Sequence, residues 1–69
     1  MHDAEAWRRW QAEHSAALRD LQEAQRVYHR LITENAFRTG VDLNDEEQAA
    51  LARLDEARQR LDQIRERRP

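Results

Sequence analysis

The sequence has no cysteine and no lysine, one glycine, one proline, and few aromatic side chains. Without cysteine there is neither a disulfide framework nor a thiolate metal site to reinforce a short chain. So few glycines and prolines leave hardly any place for a sharp turn, which argues against loop-rich and many-stranded folds. No run of 18 or more apolar residues is present, and no charged-then-apolar leader ends in a small-residue cleavage site. A membrane span and a signal peptide are therefore not expected, and the default is a cytoplasmic protein. All 12 cationic side chains other than histidine are Arg. That bias is a mark of a GC-rich bacterial genome rather than of one binding site. The net charge of −2 lacks the basic excess usual in nucleic-acid binders.

What is present is charge and helical periodicity. Charged residues make up 38% of the 69 positions, a composition typical of long helices. Trp7, Trp10, His14, Ala17, Leu21, Ala24, Tyr28, Leu31 and Asn35 follow one another at alternating steps of three and four. This is a heptad seam, with Trp7, His14, Leu21, Tyr28 and Asn35 at position a and Trp10, Ala17, Ala24 and Leu31 at d. Leu18 and Ile32 at e and Val27 at g widen the stripe beyond what a two-helix seam requires.

The spacing predicts a single all-α domain over 1–69: a helix over about 4–38, a turn over about 39–43 and a second helix over about 44–67. Asp3 is the expected N-cap of the first helix, and Gly40 stands where a C′ glycine would, with Val41 packing back. Asn44 with Glu47 three residues on has the form of a capping box, and Asp45, Glu46 and Glu47 suit the positive end of the helix dipole. Leu54 and Leu61 at a, Ala50, Ala57 and Ile64 at d, and Leu51 at e continue the pattern in the second helix. Glu5–Arg9, Glu34–Arg38 and Glu56–Arg60 are expected ion pairs on solvated faces.

So short a connection makes the helices antiparallel, with facing residue numbers summing to about 82. At ~1.5 Å per residue the first helix is roughly 50 Å long and the second roughly 35 Å, so Trp7 and Trp10 are expected to overhang the second. A lone hairpin would leave Leu18, Ile32, Leu51 and both Trp rings largely in water. Burying each is worth ~1.5–3 kcal/mol, so the hairpin is expected to dimerise into a four-helix bundle.

Candidate sites follow from what the bundle leaves over. Trp7, Trp10, Leu18, Ile32 and Leu51 form the candidate protein-interaction surface, for a second copy or another helical protein. Trp7 and Trp10, with Arg8 and Arg9 between them, either close the bundle's end or form a docking hot spot. His2, His14 and His29 lack the three- or four-residue spacing of helical metal ligands, so no metal and no other cofactor is expected. His14, in the seam, is expected to make a dimer pH-sensitive. Asn35 is either a register-setting polar residue at a or a local cap.

Two surfaces point to a different class. Arg58, Arg65, Arg67 and Arg68, with Arg60 nearby, form a basic run toward the C-terminus that suits RNA or an acidic protein, although cations are favoured at a helix C-terminus anyway. This layout resembles that of the Rop-type plasmid copy-number regulators, hairpins that dimerise into four helices and bind paired RNA loops; no motif is shared. Asp42, Asp45, Glu46 and Glu47 form an acidic tip. In gross shape and tip charge it resembles the secondary-channel regulators of bacterial RNA polymerase, whose tip carboxylates reach the catalytic metal.

Enzyme chemistry has little support. Ser15 is the one serine and stands in no nucleophile elbow, and there is no phosphate-cradling loop. No catalytic residue and no small-molecule substrate are expected. The sequence thus points to a non-enzymatic helical-hairpin interaction module in a regulatory or adaptor role. The alternative is a nucleic-acid-associated or transcription-machinery regulator.

Overall fold

The computed structural model describes residues 3–35 and 43–69, which form two helices, α1 (Ala4–Glu34) and α2 (Asp45–Glu66), packed against each other as a hairpin. The expected helical residues 36–38, Gly40 and Val41 of the turn, Asp42 of the tip and His2 lie outside the described residues.

Both helix starts are built as their sequences imply. Asp3 Oδ1 accepts the Glu5 amide at 3.0 Å, satisfying one of the free donors of the first turn. Asn44 Oδ1 accepts the Glu47 amide at 2.8 Å, and Glu47 Oε1 accepts the Asn44 amide at 3.1 Å. The capping box is complete. At the other end of α1, Asn35 Nδ2 donates to the Leu31 carbonyl at 2.9 Å, so within the hairpin its side chain serves the helix end.

The core is a line of small and large residues between the helices: Ala17 and Ala24 from α1, and Ala50, Leu54, Leu61 and Ile64 from α2. Ala17 and Ala24 are each 1% exposed, because a methyl at these d positions lets the helix axes come close. Trp10, Leu18 and Leu21 pack against the Ala17–Leu61–Ile64 cluster. Glu47, seven residues before Leu54, falls on the same buried row and is 1% exposed.

Register is marked by contacts between the helices. Arg60 lies 3.7 Å from Asp20, and Arg65 Nε donates to His14 Nε2 at 3.3 Å. These pairs sum to 80 and 79, within a turn of the register expected from the sequence. Arg60 therefore meets an acid on the opposite helix instead of the expected Glu56 on its own. Glu5 and Arg9 sit 4.0 Å apart as expected, and Glu34 lies 3.9 Å from Arg30; the expected partner of Glu34, Arg38, lies outside the described residues.

The expected overhang is corrected at Trp10. The end of α2 reaches this ring, and its indole N–H donates to the Ile64 carbonyl at 2.7 Å. Ile64 belongs to the last turn of α2, and its carbonyl also accepts the Arg67 amide at 3.1 Å, so the indole is its second donor. Trp7 alone of the two rings remains exposed, at 39%.

Candidate functional site

Three surfaces compete for a functional role, and the first is the open end. Here α1 brings Trp7, Trp10 and His14 to one side at steps of three and four. The Trp10 ring stacks on His14 with centroids 5.0 Å apart and planes 24° apart, and it meets Trp7 at 5.3 Å. The Arg68 guanidinium lies over the same ring at 5.2 Å, and Arg65 reaches His14. Trp10 is thus held by a hydrogen bond, a stacked imidazole and a cation, which is how a half-buried indole satisfies its polar edge and its face. The arrangement closes the hairpin's end. It also engages the expected basic patch: Arg65 with His14, Arg68 with Trp10, and Arg67 Nε with the Gln63 carbonyl at 3.4 Å.

The second surface is the tip. Asp45 and Glu46 are exposed, but Glu47 is not available as a tip carboxylate, because it is buried in its capping box. The expected acidic cluster is corrected by that one residue. Among the described residues no group of three His, Asp or Glu side chains converges to hold a metal ion.

No protein-family model, curated protein or solved structure matches the chain.

The third surface is one broad face of the hairpin. At about 100° per residue, positions a and e of α1 lie on one side of the buried d row, and position g lies on the other. The contacts between helices show which parts of α2 share each side. His14, at a, meets Arg65, at e of α2; Asp20, at g, meets Arg60, at g of α2. The first face therefore carries Leu18, Leu21, Gln25, Tyr28 and Ile32 from α1 with Leu51 from α2, all half-buried in the hairpin. The second carries Asp20, Val27, Arg53 and Arg60, while Arg58 and Arg65 of α2 border the first.

Leu18, Ile32 and Leu51, expected to be largely in water, are each partly covered by their own chain, and yet none is fully buried. The hairpin measures 59 Å by 15 Å by 12 Å over its Cα atoms, so among the described residues no third layer covers this face. On the charged side, an open cleft of about 260 Å³ is lined by Asp20, Arg53, Glu56, Ala57 and Arg60. A second, of about 290 Å³, lies beside Trp10, Arg9 and Arg67. Both are below the roughly 300 Å³ at which pockets for small organic ligands begin. Among the described residues no helix is long and apolar enough to cross a membrane.

The sequence reading missed the Trp10–Ile64 bond and the cation over Trp10. The signal was present in the chemistry: a partly buried indole N–H needs an acceptor, and the carbonyls of a helix's last turn have lone pairs left to accept one.

Proposed function

We propose that the chain is a non-enzymatic protein-interaction module, a helical hairpin that associates with a second copy and acts in a regulatory or adaptor role. One observation carries this reading. Leu18, Leu21, Tyr28, Ile32 and Leu51 share a face and are only partly buried, while the large apolar side chains buried among the described residues are Leu54, Leu61 and Ile64. Three such side chains are a small core for a chain of this length, and a second layer is the remedy open to a protein without cysteine. Covering the part of each that remains exposed contributes a fraction of the ~1.5–3 kcal/mol of full burial, and five together amount to a few kcal/mol.

The nucleic-acid alternative is less favoured. Its Arg65, Arg67 and Arg68 are engaged within the chain, and of the four Arg58 alone has no hydrogen bond, ion pair or ring contact among the described residues.

The test is mass in solution. Light scattering behind size exclusion at micromolar concentration is expected to give twice the 8.3 kDa of one chain. Leu18→Glu with Ile32→Glu is expected to give the monomer mass while keeping the helical circular dichroism. A folded wild-type monomer at that concentration overturns the proposal.

A further inference from the structure

The apolar face has a symmetry that says how a second copy lies on it. Along α1 its residues are Leu18, Leu21, Gln25, Tyr28 and Ile32, at steps of three, four, three and four. Read backward from Ile32, the row places an apolar residue near every position where the forward row has one, with the polar Gln25 at its centre. On α2, the residues on the same face are Leu51, Arg58 and Arg65, at steps of seven. Only the first is apolar.

Two ways of stacking the faces are closed by a two-fold axis. With the axis along the hairpin, both turns lie at one end and α1 of each copy covers α2 of the other. Leu18, Leu21, Tyr28 and Ile32 would then be laid largely on Leu51, Arg58 and Arg65. With the axis across the hairpin, through Gln25, each α1 covers the other α1 in the opposite direction. Leu18 of one copy then meets Ile32 of the other, Leu21 meets Tyr28, and the two Gln25 amides face each other with complementary donors and acceptors. The apolar row is matched to itself.

Charge selects the same arrangement. The described residues of the open half, 3–19 and 58–69, hold eight Arg and five Asp or Glu, a balance of +3. Those of the turn half, 20–35 and 43–57, hold three Arg and eight Asp or Glu, a balance of −5. Stacking turn on turn sets acid against acid and base against base. Stacking turn on open end pairs the opposite balances, and like-charge juxtaposition is an effective means of rejecting a wrong orientation.

We infer that the occupant of the Leu18–Ile32 face is a second copy of this chain running in the opposite direction, its turn at the first copy's open end and the two-fold axis at Gln25. This rests on the self-association proposed above and adds the orientation, the register and the residue at the axis.

Because the chain has no cysteine, single labels can be placed at will. Nitroxides on Gln22→Cys and Gln11→Cys, both exposed positions, are read separately by pulsed dipolar spectroscopy, with light scattering on each labelled protein. Gln22 lies near the axis, so its two labels are expected within about 30 Å. Gln11 lies 14 residues from Gln25, so its labels are expected about 42 Å apart along the bundle from the ~1.5 Å rise per residue. A dimer in which Gln11 labels are as close as Gln22 labels overturns the orientation and leaves self-association standing. A monomer mass, with no dipolar coupling at either site, overturns both. Should either label itself dissociate the dimer, the unlabelled cysteine variants decide. Mixed Leu18→Cys and Ile32→Cys chains are expected to cross-link to each other faster than either does to itself, and the reverse preference defeats the inference.

Discussion

Asn44 and Glu47 hold each other reciprocally, at 2.8 Å and 3.1 Å, and the carboxylate that closes this pair is 1% exposed. Asn44→Ala removes the acceptor for the Glu47 amide and is expected to lower stability by ~1 kcal/mol. Glu47→Ala also removes a packed side chain from the row of Leu54 and Leu61, and is expected to cost ~2 kcal/mol. Denaturant unfolding followed by circular dichroism at fixed chain concentration measures both. Equal, near-zero costs would mean the box carries no stability.

Trp10 separates a hydrogen bond from a ring. Trp10→Phe keeps an aromatic face for His14 and Arg68 but loses the donor to the Ile64 carbonyl, at an expected cost of ~1 kcal/mol. Trp10→Ala loses the packing as well and is expected to cost ~2–3 kcal/mol, since the ring is partly exposed. Trp7→Ala, at an exposed position, is expected to cost less than ~1 kcal/mol. Unfolding midpoints in that order support the assignment of Trp10, and not Trp7, as the closure of the open end.

Ala17 and Ala24 set how closely the helices approach. Ala24→Leu inserts volume where 1% of the residue is exposed, and is expected to destabilise the hairpin by ~1–3 kcal/mol despite leucine's good helix propensity. Ala16→Leu, exposed on α1, serves as the control and is expected to change stability by under ~0.5 kcal/mol.

The ion pair between Asp20 and Arg60 joins the helices, but both side chains are about three-fifths exposed. Water and salt screen such a pair, so Asp20→Asn is expected to shift stability by no more than ~0.5 kcal/mol. A larger loss, abolished by added salt, would show the pair to be a determinant of register.

Much of this hairpin was legible because its causes are local. The N-caps at Asp3 and Asn44, the buried alanines at d and the antiparallel path follow from spacing and from side chains that act within one turn. The burial of Glu47 was within reach, since it stands seven residues before Leu54 on the same heptad position. It was read as a tip charge because acids at a helix start are favoured by the dipole whether buried or not. The Trp10–Ile64 bond and the pairing of Arg60 with Asp20 depend on the register to better than one turn, and that is set by how the two helix surfaces interlock. No pattern within either helix contains it. For the same reason the pattern alone puts Leu18 largely in water, when it packs against the cluster that Leu61 and Ile64 of the neighbouring helix form with Ala17.

The indole that fastens the end of α2 is also a chromophore whose emission responds to its surroundings. Its ring is stacked on an imidazole, covered by a guanidinium and bonded through its N–H, while Trp7 beside it is the more exposed ring. Replacing Trp7 by Phe therefore leaves one fluorophore, at the point where the two ends of the chain meet. Fraying there is then recorded optically as a red shift, separately from the loss of helix seen by circular dichroism.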